Sequence, residues 1–124
     1  MRNDKENIEV EKSFQFALKI VLYCELLEDK KKFVLSHQLL KSGTSIGANV
    51  REAQNAESKA DFIHKIKLAA KEADETQYWL EICKNSPTYP FDDQLISDVN
   101  DLVKILSKII SSSKTNKSAI GFNH

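Results

Sequence analysis

The sequence predicts an all-α fold, an antiparallel up-down-up-down four-helix bundle over residues 1–113. Three observations favour it. The 124 residues include only three Gly and two Pro, and both residue types are avoided in helix interiors. Apolar residues recur every three to four positions in four successive segments, which is the helical period. The connections between these segments are short, so consecutive helices are expected to pack as antiparallel neighbours.

The first predicted helix covers residues 8–28 and carries two apolar strips. At about 100° per residue, the expected core face holds Val10, Phe14, Ala17, Leu18, Val21 and Leu22. A second strip beside it holds Phe16, Ile20, Cys24 and Leu27. Together the two strips cover more of the helix than one core needs. We therefore predict that the second strip contacts another subunit.

The second predicted helix covers residues 30–57, with Asp29 as its N-cap. Its core stripe consists of Leu35, Leu39, Ser42, Ile46, Asn49, Val50 and Ala53. Gly43 and Gly47 lie inside this helix, where each costs about 1 kcal/mol relative to Ala. The usual compensation is the close approach of another backbone. The sequence therefore predicts tight helix packing at this level.

The third predicted helix covers residues 59–85 and follows the second at a sharp reversal. Ser58 and Asp61 have the Ser-x-x-acid spacing of a capping box. The core stripe consists of Phe62, Ile66, Ala69, Ala70, Ala73, Gln77 and Leu80. A neighbouring stripe is also apolar, so we add it to the predicted oligomer interface. That interface then comprises Phe16, Ile20, Leu27, Leu68, Trp79 and Ile82.

The fourth predicted helix covers residues 93–111 and follows a loop that contains Pro87 and Pro90, which exclude helix there. Asp92 is placed to cap it. Its core stripe consists of Leu95, Val99, Leu102, Val103, Leu106, Ile109 and Ile110. Residues 114–124 are predicted to form a polar, loosely held C-terminal tail.

Composition and charge exclude several classes of protein. The 18 basic and 18 acidic residues cancel, so no whole-molecule field attracts nucleic acid or anionic lipid, and such binding needs a local patch. No segment reaches the roughly 20 apolar residues of a membrane span, and the first residues lack the apolar core of a signal peptide. We expect a soluble, cytoplasmic protein. The two cysteines are too few for a disulfide framework or a thiolate zinc site.

The sequence contains no recognisable catalytic constellation, so we expect no enzyme activity, no cofactor and no small-molecule substrate. Asp61-x-x-His64, with Glu52, Glu72 and Glu75, raises a metal-binding bundle as the weaker alternative. The spacing occurs once rather than twice, and His64 is predicted to point away from the core. A solvated charged face is the favoured interpretation.

Two groups of lysines are candidate nucleic-acid contacts. They are Lys30, Lys31 and Lys32 before the second helix, and Lys59, Lys65, Lys67 and Lys71 on the third. Acidic residues are interleaved with them, so a mixed-charge surface that favours solubility is the preferred interpretation. Direct RNA binding is kept as an alternative function.

Four polar residues are predicted to meet where the second helix reverses into the third. They are Asn49, Glu52, Ser58 and Asp61. Free backbone groups at helix ends need partners, and side chains of these types commonly supply them. A structural role is therefore favoured over a ligand site.

Three segments carry a family resemblance: residues 45–53, Ser58-x-x-Asp61-Phe62, and residues 71–80 with the sequence KEADETQYWL. They resemble the bacterial four-helix-bundle proteins called 23S rRNA-intervening-sequence proteins. The resemblance implies a homo-oligomer, a pentameric ring. Members of that family are encoded within insertions of ribosomal RNA genes, and relatives are accessory proteins of the reverse transcriptase of diversity-generating retroelements. A non-catalytic scaffold or adaptor for RNA, or for an RNA-handling protein, is the function implied.

Overall fold

The computed structural model describes the chain from residue 7 to residue 121, and its side chains as far as residue 113. This part consists of four α-helices without strands. They are α1 (Ile8–Asp29), α2 (Phe33–Ala53), α3 (Lys59–Asn85) and α4 (Asp93–Gly121). α1 packs on α2, α2 on α3 and α3 on α4, while the contact of α4 with α1 is the thinnest of the four. The all-α prediction is confirmed.

The predicted bounds hold for α1 and α3 but not for α2. The Ser58 hydroxyl accepts a hydrogen bond from the Asp61 backbone N–H at 3.0 Å, as the capping-box prediction requires. Asp29 does not cap α2, because it is still the last residue of α1. The chain then turns through Lys31, whose φ is 60°. α2 begins after Lys32 without a side-chain cap, so the prediction of Asp29 as its N-cap is wrong.

α4 is longer than predicted, because it continues to Gly121 instead of ending near residue 111. The sequence has neither Gly nor Pro between residues 111 and 120, so nothing in it interrupts the helical backbone. Much of the predicted tail is therefore helical. Its residues 122–124, and residues 1–6 of the predicted bundle, lie outside the described residues.

The core is built from one strip of each helix, and for α2, α3 and α4 it is the predicted strip. On α1 the prediction is wrong. Phe16, Ile20 and Leu27 are fully buried, whereas the expected core residues Phe14 and Leu22 are 46% and 66% exposed. Of the predicted α1 core strip, only Val10 is buried. The α1 strip predicted to contact another subunit is therefore in the core, and most of the strip predicted for the core is exposed.

Close packing of α1 on α2 explains which strip of α1 is buried. A Cβ on Gly43 would lie 2.9 Å from Cγ2 of Ile20, and a Cβ on Gly47 would lie 3.3 Å from the carbonyl oxygen of Ser13. The strip of α1 that faces α2 is therefore the one with Ile20, because Ser13 on the same side is small enough for the backbones of α1 and α2 to approach closely. The tight packing predicted from the two glycines is confirmed.

Candidate interaction surfaces

A continuous apolar stripe on α1 faces away from the core. It comprises Phe14, Leu18, Val21, Leu22 and Leu26, with exposed fractions of 46%, 46%, 37%, 66% and 42%. These residues follow the helical repeat on the side opposite Phe16, Ile20 and Leu27. We call this set the α1 apolar stripe. Contiguous exposed apolar surface on a small protein marks an interaction site.

α2 adds to the apolar surface beside this stripe. Leu40 is 37% exposed, and a cavity of about 150 Å³ lies between the two helices at Phe14, Thr44 and Ala48. The Arg51 guanidinium lies 5.6 Å from the centre of the Phe14 ring, within the range of a cation–π contact. The edge of the stripe is therefore partly polar, as the rim of a protein interface usually is.

The predicted oligomer interface needs correction. Phe16, Ile20 and Leu27 are 2%, 0% and 0% exposed, so they cannot contact another subunit unless the bundle opens. Their assignment to an interface is wrong because they belong to the strip that packs on α2. The three α3 members, Leu68, Trp79 and Ile82, are half-buried.

Trp79 is an unusual member of this group. Its ring packs against the core and meets the exposed Tyr78 ring edge-on, with 5.3 Å between the ring centres. Its Nε1–H is buried and has no acceptor among the described residues. Buried donors normally find a partner, and we have no physical account of this one.

The four polar residues at the α2–α3 reversal make separate local bonds. Ser58 and Asp61 form the cap of α3, and the Asp61 carboxylate also accepts from the Glu57 backbone N–H at 3.3 Å. Glu52 pairs with Lys65 of α3, with 3.3 Å between Oε1 and Nζ. Asn49 donates to the Ser45 carbonyl one turn earlier, at 2.9 Å. The structure therefore places these side chains at helix ends and joints, without one shared network.

The candidate lysines differ in what they contact. Lys32 donates to Thr88 Oγ1 at 3.0 Å and lies 5.2 Å from the centre of the Tyr89 ring, so it joins the two loops at one end of the bundle. Lys65 is engaged by Glu52. The others are exposed and form no ion pair in the part of the chain that the structure describes; these are Lys30, Lys31, Lys59, Lys67 and Lys71.

Within residues 7–113, the buried thiols and hydroxyls show no activated nucleophile. Burial raises the pKa of the Cys24 thiol to about 11, and the thiol donates to the Ser36 carbonyl at 3.4 Å. Burial likewise raises the pKa of Cys83. The Ser42 hydroxyl accepts from Thr76 at 3.0 Å. Both thiols are therefore protonated at neutral pH and serve packing.

The described residues form neither a cluster of metal-ligating side chains nor a membrane-spanning helix. No group of three or more His, Cys, Asp or Glu side chains is placed there to hold a metal ion. His64 is exposed, and the Asp61 carboxylate is used at the α3 cap. None of the described helices is long and apolar enough to cross a bilayer.

An ion pair that the sequence did not predict closes the α1–α4 seam. Lys19 Nζ lies 2.7 Å from Asp98 Oδ2, next to a cavity of about 290 Å³ that Phe16 and Leu102 help to line. Burial raises the pKa of Asp98, but the hydrogen bonds from Lys19 and Gln94 outweigh it and hold that pKa below its usual value. The two partners are 79 positions apart, so no local pattern could have identified them.

Comparison with known proteins identifies a family and a similar solved structure. The sequence pattern of the family described as 23S rRNA-intervening sequence protein matches residues 5–112. A solved structure from Bacteroides thetaiotaomicron, described as a protein of unknown function from the S23 ribosomal protein family, is 46% identical in sequence. The match covers 82% of this chain and 97% of that chain, with a TM-score of 0.77. No curated protein matches the sequence.

Proposed function

The chain belongs to the 23S rRNA-intervening sequence protein family, and from this premise we propose that it is a non-catalytic, self-assembling four-helix bundle. In this proposal it acts in the cytoplasm as a scaffold or adaptor for RNA or for a protein that handles RNA. The observation that carries the proposal is the α1 apolar stripe, which the folded chain leaves in contact with water.

The stripe is continuous and has a polar side chain, Arg51, at its edge, which supports self-association. Its five side chains are each about half exposed, which amounts to roughly 400 Å² if a large apolar side chain has about 150–200 Å² of surface. That area lies within the range of about 300–600 Å² of the largest, often functional, patches on monomeric proteins. It is about half of the roughly 800 Å² that each partner buries in a standard interface. The neighbouring α2 surface at Leu40 can supply part of the rest.

We further infer that the helices alternate in direction, up-down-up-down. Thr76 of α3 meets Ser42 of α2, and Lys65 of α3 meets Glu52. The residue number therefore rises on one helix as it falls on its neighbour. The contacts of Ser13 with Gly47 and of Cys24 with Ser36 support the same relation between α1 and α2.

A heterologous interface closes into a ring when its rotation allows closure. We propose that the assembly is the pentamer implied by the family resemblance. The α1 apolar stripe of one subunit would then lie at each contact between neighbours.

The experiment is a measurement of mass in solution by light scattering on variants of the full chain. Leu18→Glu/Leu22→Glu puts two charges into the stripe without touching the core, so it should yield a folded monomer of 14.1 kDa. Tyr78→Glu is the control, because Tyr78 is 62% exposed on α3, outside the stripe. It should retain the wild-type mass. A double variant that keeps the wild-type mass would contradict the proposal.

Direct RNA binding is the second candidate function, and the exposed, unpaired lysines of α3 favour it. A titration of RNA binding against salt tests it, because lysine–phosphate contacts weaken steeply as salt rises. A metal-binding bundle is the third and weakest candidate. Metal analysis of the purified protein would support it only if a stoichiometric ion were found.

A further inference from the structure

The charges of α3 and α4 are divided along the length of the helices, although the chain as a whole is neutral. On α3, residues 62–71 contain lysines and one histidine but no acidic residue, and residues 72–83 contain four acidic residues but no basic one. On α4 the order is opposite: residues 92–103 contain four aspartates and no base, and residues 104–113 contain two lysines and no acid.

Two contacts define how the halves of α3 and α4 lie side by side. Lys84 Nζ lies 3.2 Å from Asp93 Oδ1, and Gln77 donates to Asn100 at 2.7 Å. From the first pair to the second, α3 goes back by seven residues and α4 advances by seven, so the antiparallel register is constant between them. Extending it places Lys108 at the level of Ala69. The basic half of α3 therefore lies beside the basic half of α4.

Four lysines lie where the basic half meets the acidic half. The register places Lys104 at the level of Ala73, so the four levels lie within about 9 Å along the helix axis, at 1.5 Å per residue. All four side chains are exposed, and in the described part of the chain none forms an ion pair. We call this set the α3–α4 basic patch: Lys67, Lys71, Lys104 and Lys108.

The patch has a defined edge. Glu72, Asp74 and Glu75 follow Lys71 on α3, and Asp101 precedes Lys104 on α4. Beyond these residues the surface of both helices is acidic and repels a polyanion. Only one half of the α3–α4 face can therefore attract phosphate groups.

We infer that the α3–α4 basic patch binds the phosphate backbone of single-stranded RNA without sequence preference. This rests on the proposed role of the protein beside RNA and specifies the surface that would touch it. A lysine ammonium is a point charge that contacts phosphate without reading bases. The patch is separate from the α1 apolar stripe, because α1 packs on α2 and α4 and makes no contact with α3.

An acidic protein fits the patch less well than RNA does. Exposed lysine–carboxylate pairs between proteins gain little, since both charges are well solvated and screened by salt. A nucleic-acid strand additionally releases condensed counterions, about 0.7 per phosphate contacted on a single strand. Four contacts then predict a slope of about −2.8 in log K against log salt, which is roughly a 50-fold loss of affinity between 50 and 200 mM.

The test is fluorescence anisotropy with a labelled uridine oligonucleotide of about 16 nucleotides, the upper end of common single-strand site sizes. Lys67→Glu/Lys108→Glu reverses two patch charges and should weaken binding at least tenfold at 50 mM salt. It should also reduce the salt slope by about 1.4. Lys12→Glu/Lys41→Glu is the matched control, because it makes the same charge change at exposed lysines of α1 and α2, outside the α3–α4 basic patch, and should alter affinity less than twofold.

Four results would overturn the inference. They are an equal loss in the control variant, no loss in the patch variant, no binding by the wild type at 50 mM salt, and competition by polyglutamate as effective as by RNA. The last result would assign the patch to an acidic protein. A DNA oligonucleotide of the same length should bind with similar affinity, because lysine–phosphate contacts do not read the 2′-hydroxyl.

Light scattering on the same samples separates this inference from the proposed assembly. A monomeric wild type that still needs the patch for RNA binding would contradict the proposed assembly and support RNA binding by the patch. An assembled wild type that binds no RNA would contradict only RNA binding by the patch.

Discussion

Gly43→Ala is predicted to destabilise the protein, although replacing a glycine inside a helix by alanine ordinarily stabilises it by about 1 kcal/mol. The reason is the contact between α1 and α2. The new Cβ would lie 2.9 Å from Cγ2 and 3.0 Å from Cγ1 of Ile20, a side chain that is completely buried. Both atoms are attached directly to the Cβ of a β-branched side chain and cannot swing away, so the helices themselves must shift.

Overpacking of this kind costs about 1–3 kcal/mol. Subtracting the gain in helix propensity leaves a net loss of about 0–2 kcal/mol in the free energy of unfolding, with a central value near 1 kcal/mol. Ile20→Ala removes the two nearest carbons and leaves only the Cβ of residue 20, at 3.3 Å. In that background Gly43→Ala should stabilise the protein by up to about 1 kcal/mol.

The assay is urea denaturation of the wild type, the two single variants and the double variant, at one protein concentration because association shifts apparent stability. The double-mutant cycle should show a coupling energy of about 1–3 kcal/mol between positions 20 and 43. Equal stabilisation by Gly43→Ala in both backgrounds would show that α1 does not pack on Gly43, and would refute the placement of the Ile20 strip of α1 in the core.

Three further predictions concern single groups. Ser58→Ala should lower the free energy of unfolding by about 1 kcal/mol, because the Asp61 N–H loses its acceptor; Ser58→Asp should restore most of it in the same denaturation assay. Asp98, whose pKa is lowered in the fold, stabilises the protein above its unfolded pKa of about 3.9 and loses that effect as the pH falls through the folded value. Denaturation of Asp98→Asn and wild type from pH 7 to pH 2 should therefore show a stability difference that shrinks below about pH 4, and a constant difference would contradict the Lys19 pairing. Cys24 should react with a thiol reagent at pH 8 at least 100-fold more slowly in the folded than in the urea-unfolded protein, and comparable rates would mean that α1 and α2 open readily.

The helices were largely predictable from sequence because their determinants are local. Ser58 and Asp61 mark the start of α3, and Pro87 and Pro90 interrupt the chain before α4. The end of α4 was missed because a serine run weakens a helix without breaking it. The start of α2 was missed because Asp29 is a residue type that often caps helices. In the structure α1 continues through Asp29, and the chain turns only at Lys31, which has a positive φ.

The orientation of α1 could not be obtained from its own periodicity. Both strips are apolar, so their hydrophobicity does not say which one faces the core. The deciding contact is between helices, where Ser13 and Ile20 fit against Gly47 and Gly43. The small residue Ser13 was the one sign in the sequence of which side of α1 packs on another helix. It can be interpreted only once the glycines of α2 are known to lie opposite.

The candidate surfaces were predictable to different degrees for the same reason. Lysines of α3 could be named from sequence, but Lys104 and Lys108 join them only through the register of two helices. The surplus of apolar surface on α1 was visible in the sequence. Its position, at Leu18 and Leu22 instead of Phe16 and Ile20, required the packed structure.

We propose that the α1 apolar stripe is buried between copies of this chain. Sedimentation equilibrium of the wild-type protein at micromolar concentration measures whether such copies associate. A single species heavier than the 14.1 kDa chain is expected, with five times that mass if the ring is pentameric. A monomer at this concentration, with Leu18 and Leu22 still open to solvent, would contradict it.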